Sequence, residues 1–122
     1  MSNILVIDDN ASVRKAITLM LESGGFHVTA AKDGSEGLNA FAAGSPDLVL
    51  VDIIMPDKDG IEIIREMRQT RPATKIIAMT GGGRLSNLDF LKMARAFGAV
   101  ETLAKPIDPD DLVARVRACL AT

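Results

Sequence analysis

Aromatic side chains are scarce in this chain. Its 122 residues include four Phe and neither Trp nor Tyr. Proteins that hold single-stranded nucleic acid stack its bases on aromatic rings, so this scarcity excludes a stacking platform. It also disfavours a flavin or heme pocket lined by aromatic rings. The core must therefore be built from Ile, Leu, Val, Met and Ala.

Cysteine is nearly absent, with Cys119 as the single example. One cysteine excludes an intrachain disulfide and supplies too few thiolates for a zinc or iron–sulfur site. Cys119 shares the apolar face of the last predicted helix with Leu112, Val116 and Leu120. We therefore predict that it is a small buried hydrophobic residue.

Long apolar runs and an excess of basic charge are also missing. No apolar run approaches the length that crosses a bilayer, and the first residues lack the regions of a signal peptide. The net charge is −2 and the pI about 5.3, so no basic field exists to hold nucleic acid or an anionic membrane. We predict a cytoplasmic protein whose domain binds neither nucleic acid nor membrane.

The chain is organised as short apolar runs that alternate with stretches of helical spacing. Its length fits a single domain over residues 1–122, with no linker or repeat. Five strands are predicted: Ile4–Ile7, Phe26–Ala30, Asp47–Val51, Lys75–Met79 and Ala99–Ala104. The predicted helices are Ser12–Ser23, Ser35–Ala43, Ile61–Arg71, Ser86–Phe97 and a last one capped by Asp108. This alternation predicts an α/β fold, a parallel sheet with helices on both faces.

Polar side chains follow four of the five predicted strands. Asp8-Asp9, Asp52, Thr80 and Lys105 come directly after the first, third, fourth and fifth strands. In an open parallel sheet these strand ends meet at one edge, where ligands bind. Crowded carboxylates repel one another unless a cation lies among them, and oxygen ligands favour Mg²⁺. We therefore predict a magnesium site that accepts a phosphoryl group. A carboxylate is the predicted nucleophile, and Lys105 and Thr80 are predicted to stabilise the oxygens of the phosphoryl group.

Taken together, these motifs resemble the receiver domain of two-component response regulators. The matching runs occur in order over the whole chain: 4–10 (ILVIDDN), 52–60 (DIIMPDKDG), 78–81 (AMTG) and 103–106 (LAKP). No single run would suffice, but the set is specific. The resemblance implies a flavodoxin-like (βα)5 fold, a three-layer α/β/α sandwich with strand order 2-1-3-4-5.

The resemblance also implies the ligands of the metal and the phosphoryl group. Asp52 is expected to be the phosphoacceptor. Mg²⁺ is expected to bind Asp9 directly, Asp8 through water, Asp52, and the main-chain carbonyl of Ile54. Lys105 is expected to pair with the phosphoryl group.

A switch and its partners follow from the same resemblance. The bond from Lys105 to Pro106 is expected to be cis. Thr80 is expected to turn toward the phosphoryl oxygens and so shift the face formed by the fourth helix, fifth strand and fifth helix. The expected donor is a sensor histidine kinase or a histidine phosphotransferase, and the output is contact with an unidentified protein. Such a domain catalyses only its own phosphorylation and dephosphorylation, so it is not expected to be an enzyme.

Two features of the family pattern differ in this chain, the aromatic switch and the residues that tune hydrolysis. Thr102 stands where family members usually carry Tyr or Phe, so an aromatic switch is not available. The two positions that tune hydrolysis in the family are Ile54 and Gly82 here. Since the side chain of Ile54 cannot orient a water molecule by hydrogen bonding, we predict a long-lived phosphoryl group.

Other interpretations remain open at this point. A magnesium-dependent phosphohydrolase would also use an aspartate nucleophile, although such enzymes carry an Asp-x-Asp pattern and a cap domain. A degenerate receiver could act only as a scaffold. The chain could be a stand-alone receiver or a piece of a longer regulator.

Two further segments receive a structural interpretation. Residues 81–83 are all glycine and are interpreted as a hinge. Three arginines are interpreted as a solvated face of the third helix: Arg65, Arg68 and Arg71.

Overall fold

Five parallel strands form one sheet at the centre of the molecule. The computed structural model describes residues 2–55, 59–81 and 92–121. The strands are β1 (Asn3–Ile7), β2 (His27–Ala31), β3 (Leu48–Asp52), β4 (Lys75–Thr80) and β5 (Glu101–Ala104). Their order in the sheet is β2-β1-β3-β4-β5, and each neighbouring pair is parallel. The predicted order 2-1-3-4-5 is confirmed.

Helices cover both faces of the sheet. They are α1 (Ala11–Ser23), α2 (Gly34–Gly44), α3 (Gly60–Thr70), α4, described over residues 92–97, and α5 (Pro109–Leu120). Carboxylate or amide side chains cap four helix N-termini, each accepting a hydrogen bond from the main chain three residues on: Asn10, Asp33, Asp59 and Asp108. Residues 86–91 of the fourth predicted helix and Pro56 lie outside the described ranges.

The strands divide the apolar core into two layers. Successive side chains along a strand point to opposite faces, so one layer takes Leu5, Val49 and Ile76 and the other takes Ile4, Leu48 and Ile77. The first layer packs against α2, α3 and α4, and the second packs against α1 and α5. Both faces of β3 are buried along its whole length, which explains its continuous apolar sequence.

The last strand begins later than predicted. Ala99 lies in the turn that follows α4, where its main-chain nitrogen donates to the carbonyl of Ala94. The ladder between β4 and β5 begins where Ile77 pairs with Glu101. The predicted strand from Ala99 is therefore two residues too long.

The interpretation of a solvated arginine face is wrong for two of the three arginines. Arg65 is exposed, as expected. Arg68 donates to the carbonyls of Gly98 and Pro72, and Arg71 donates to the carbonyl of Ala42 and lies 4.3 Å above the Phe41 ring. These carbonyls end helices or begin turns and lack a helical partner, so the long side chains fold back to them.

Cys119 is also less buried than predicted. It is half-buried on α5, where burial raises the pKa of its thiol. None of the helices in residues 2–55, 59–81 and 92–121 combines the length and apolarity that spanning a bilayer requires.

A glycine in α2 permits the close approach of that helix to β1. A Cβ atom at Gly37 would lie 2.5 Å from Cδ1 of Ile7, whereas one at Gly44 would meet nothing within 4 Å. We expect Gly37→Ala to lower the free energy of unfolding by about 1–3 kcal/mol. Gly44→Ala in the same helix is the control, and should leave it unchanged or raise it by up to about 1 kcal/mol. Urea unfolding checks both; equal effects would contradict the packing account.

Candidate functional site

Three carboxylates meet at the carboxyl edge of the sheet. Asp8 directly follows β1, and Asp52 is the last residue of β3. These strands are neighbours, with Ile7 opposite Val51, so the two aspartates come side by side. Each of Asp8, Asp9 and Asp52 contributes one carboxylate oxygen to a group whose atoms all lie within 4.8 Å of one another. Asp8 is fully buried and Asp52 is 4% exposed, so water screens this negative charge poorly.

Lys105 supplies the positive charge. Its Nζ lies 2.7 Å from Asp8 Oδ2 and 3.4 Å from Asp52 Oδ2. The side chain reaches across the end of β4, because Lys105 follows β5 at the far side of the sheet. Its main-chain nitrogen donates to the carbonyl of Thr80, and the bond to Pro106 is cis, as expected. Three carboxylates and one ammonium group leave an excess of two negative charges.

The electrostatics of the site follow from burial. Burial raises the pKa of Asp52 from 3.8 to about 6; the charge of Lys105 opposes this rise and the charge of Asp8 adds to it. Burial lowers the pKa of Lys105, but the hydrogen bond to Asp8 and the charge of Asp52 outweigh it, so the pKa is raised overall. Lys105 therefore stays charged, while Asp52 is ionised at a cost.

Thr80 brings a buried hydroxyl to the same edge. It ends β4, one residue beyond Met79, the register partner of Asp52. The residue is 1% exposed, and within the described ranges its Oγ1 has no hydrogen-bond partner. A buried polar atom without a partner is costly and calls for an explanation. An oxygen atom of a ligand at this edge would provide the missing partner.

Two residues that shape the site were not given this role by the sequence analysis. Arg14, in the second turn of α1, donates from Nη1 to the main-chain carbonyl of Asp8 at 2.8 Å and fixes the end of β1. Gly60 ends the matching run 52–60, and it is the first residue of α3. A Cβ atom there would lie 2.5 Å from the carbonyl oxygen of Asp52, so only glycine lets α3 begin so close to the end of β3. The sequence feature that could have pointed to a site role for Arg14 is its position in the helix that directly follows Asp8 and Asp9.

The remaining predicted residues lie around the cluster rather than in it. Ile54 donates its main-chain N–H to Asp52 Oδ1 at 3.2 Å, and its side chain is 48% exposed. Thr102 is half-buried on β5 opposite Ala78, two residues before the end of β4. Pro106 is exposed. Gly82 lies outside the described ranges.

The cluster suits Mg²⁺ in ligand type and charge. Every donor is a hard oxygen, and two ligands on opposite sides of an octahedral Mg²⁺ are about 4.2 Å apart. The 4.8 Å span of the three carboxylate oxygens is near this value, and a bridging water can make up the difference. A divalent cation would also cancel the excess of two negative charges. The donor set therefore fits the metal.

Comparison with known proteins identifies the family. A model described as the response regulator receiver domain matches residues 4–117. The transcriptional regulatory protein CpxR of Klebsiella pneumoniae is 39% identical over 120 residues, which cover 98% of this chain and 50% of that protein. Response regulator MprA of Mycolicibacterium vanbaalenii is 36% identical over 121 residues, 96% of this chain and 49% of that protein.

Solved structures agree with the sequence relatives. A response regulator receiver domain protein from Clostridium thermocellum has a TM-score of 0.91 at 34% identity, and covers 99% of this chain and 95% of its own. A CheY-like receiver domain protein from Methanospirillum hungatei has a TM-score of 0.89 at 30% identity, over 99% and 94% of the two chains.

The chain therefore belongs to the response regulator receiver domain family of two-component systems. Members of this family bind Mg²⁺ at an acidic pocket and receive their signal from histidine kinases. The chain spans about half the length of the curated relatives it matches.

The raised pKa of Asp52 predicts a pH-dependent stability in the absence of metal. The pKa of Asp52 is higher in the folded protein than in the unfolded chain. Such a carboxyl group contributes its full stability below the pKa of the unfolded chain, and this stability is lost as pH rises through the pKa of the folded protein. With a chelator present, the free energy of unfolding of the wild type should therefore fall by about 1–2 kcal/mol relative to that of Asp52→Asn between pH 5 and 7.5. Denaturant unfolding at both pH values checks this; parallel pH profiles for the two proteins would contradict it.

Proposed function

We propose that this chain is a phosphoacceptor that takes its phosphoryl group on Asp52 from a phosphohistidine of a sensor histidine kinase or a histidine phosphotransferase. The observation that carries the proposal is the cluster of Asp8, Asp9 and Asp52, in which Lys105 pairs with the two buried carboxylates, Asp8 and Asp52. The buried hydroxyl of Thr80, which has no partner among the described residues, lies at the same edge of the sheet. The domain promotes only its own phosphorylation and dephosphorylation, so it is a signalling module rather than an enzyme with a separate substrate.

The chemical step is a displacement at phosphorus. A carboxylate oxygen of Asp52 forms the new O–P bond while the N–P bond of the donor histidine breaks, and the imidazole nitrogen leaves with the electron pair. Asp8, Asp9, Asp52 and the main-chain carbonyl of Ile54 would hold Mg²⁺. When bound, the metal supplies positive charge to the transferring oxygens.

Lys105 changes partners during this step. Its ammonium group lies between Asp8 and Asp52, within reach of both carboxylates. Once Asp52 carries a phosphoryl group, the added negative charge attracts the ammonium group more strongly than the carboxylate did. Lys105 then neutralises a phosphoryl oxygen, and the hydroxyl of Thr80 donates to another.

The signal leaves through the face of α4, β5 and α5. Thr80 and Lys105 are joined through the main-chain hydrogen bond between β4 and β5, so a change at Thr80 reaches β5 directly. Large apolar side chains are exposed on α4 and just before β5: Met93, Phe97 and Val100 are 41–46% exposed. Such side chains suit contact with another protein. Because Thr102 carries no aromatic ring, this transmission depends on the backbone and α4 rather than on a ring that turns inward.

Phosphorylation by a small donor tests the acceptor. After incubation with Mg²⁺ and acetyl phosphate, intact-mass spectrometry should show one phosphoryl adduct that requires Mg²⁺ and is absent from Asp52→Asn. Asp47→Asn is the matched control, because Asp47 is exposed at the opposite end of the same strand and should be modified normally. An adduct that persists in Asp52→Asn would overturn the assignment, and steady turnover of a phosphomonoester would favour a hydrolase instead.

The side chain at Ile54 should set the lifetime of the adduct. It is half exposed beside Asp52 and cannot hold a water molecule by hydrogen bonding. Ile54→Asn should therefore shorten the half-life of the phosphoryl group by about tenfold, which corresponds to about 1.4 kcal/mol of activation free energy. Ile54→Val, which changes shape without adding a polar group, should leave it nearly unchanged. Decay followed by intact mass after the donor is removed decides the matter, and an unaltered lifetime in the Asn variant would refute the idea.

A further inference from the structure

A groove of about 530 Å³ runs between α1 and α5 on the side of the sheet away from α3. Its walls are mostly apolar or small side chains, and Leu19 at its rim is 54% exposed. In the described part of the chain, Asp110 and Arg117 are the two charged residues that line it. None of the residues proposed to carry phosphoryl transfer lies in this groove.

The side chains that α5 presents to the groove form one ordered stripe. Asp110, Val113, Ala114 and Arg117 are spaced i, i+3, i+4 and i+7, so they lie on one side of the helix. An acid stands at one end, a base at the other, and two small apolar residues between them. An antiparallel copy of the same helix would therefore present its base opposite the acid and its acid opposite the base.

We propose that this face docks against the same face of a second copy of the chain, with the two α5 helices antiparallel about a two-fold axis. An interface of this symmetry brings one surface patch against itself. An axis between Val113 and Ala114 places Asp110 of each copy opposite Arg117 of the other, and Val113 opposite Ala114. The Asp110–Arg117 pair then forms twice, once on each side of the axis, and no like charges of the stripe meet. This charge complementarity favours a second copy as the occupant.

The local contacts prepare both ends of the stripe for this pairing. Arg117 donates from Nη2 to the carbonyl of Gly24 at 2.9 Å, which holds the guanidinium at the groove. A guanidinium group has five N–H donors, so this bond leaves donors for a carboxylate. Asp110 is exposed in the first turn of α5, and no ion pair is found for it within the described residues.

Small residues set how closely the two copies can approach. Ala114 stands at the centre of the stripe, and Gly24 closes the groove on the α1 side. A Cβ atom at Gly24 would lie 3.0 Å from a methyl group of Val113, so a larger residue there would require Val113 to shift. Leu19 provides the exposed apolar surface that docking removes from water. Nine described residues line the groove, fewer than the roughly 20–30 residues per side of a standard interface, so we expect a weak dimer with a dissociation constant of about 10–1000 µM.

Exchange of the two charges tests the pairing. Sedimentation equilibrium should show a monomer–dimer equilibrium that weakens as salt is added. Asp110→Arg alone and Arg117→Asp alone should each weaken association by about tenfold or more, because two attractive pairs become two like-charged pairs. The double variant Asp110→Arg with Arg117→Asp restores both pairs, and should associate within about threefold of the wild type. Arg65→Asp on α3 is the control and should not change association.

Two outcomes would overturn the proposal. One is a wild-type chain that stays monomeric at about 1 mM, the weakest dissociation constant expected, where about half of the chains should be dimeric. The other is a double variant that associates no better than the single variants. If single variants alter transfer from a histidine phosphotransferase while the chain stays monomeric, the groove serves that protein instead and the proposal fails.

A cross-link tests the same geometry without disturbing the charges. Ala114→Cys in a Cys119→Ala background places one thiol per copy beside the two-fold axis, where a disulfide can form across the interface. Mild oxidation should give a covalent dimer, whereas Arg65→Cys in the same background should not. Equal cross-linking of the two variants would contradict the proposed axis. Circular dichroism verifies that each variant is folded.

Discussion

The concentration of negative charge at the carboxyl edge of the sheet is the constraint on which the rest of the site depends. Asp8 and Asp52 are almost completely buried, so their mutual repulsion is barely screened by water. Lys105 offsets part of it from the far side of the sheet. Arg14 fixes the backbone at Asp8, and Gly60 lets α3 begin against the end of β3. Each of these features keeps the carboxylates together in an arrangement that repels unless a cation joins it.

The core provides the stability that such a site requires. Two apolar layers, one on each face of the sheet, fix β1 and β3 as buried neighbours. The ends of these strands therefore cannot move apart to relieve the repulsion. The raised pKa of Asp52 reports the resulting cost, because the ionised form is less favourable in this surrounding than in water. A cation that binds at this edge would relieve the repulsion between the carboxylates, and that relief would favour its binding.

The sheet also separates two surfaces with different characters. On one side, α4 and the residue before β5 expose large apolar side chains, and β5 leads from there to Lys105. On the other, α1 and α5 form a groove with one acid and one base at the ends of a short apolar stripe. The first surface is suited to respond to the site. The second is placed to hold copies of the chain together whatever the state of Asp52, so the two contacts need not compete.

The sequence by itself determined the alternation of strands and helices, and it placed Asp8, Asp9, Asp52, Thr80 and Lys105 at strand ends. These features depend on local periodicity and on strand direction, which the order of residues carries. The strand order 2-1-3-4-5 came from the resemblance of the motifs, since periodicity does not say which strands are neighbours. Tertiary structure alone decided the roles of Arg14, Arg68, Arg71 and Gly60. Their partners are main-chain atoms at strand ends, turns and helix ends, and a composition or spacing rule contains no information about which of these atoms come within reach. The partial exposure of Cys119 was likewise set by how α5 packs against the sheet, which its own apolar pattern does not specify.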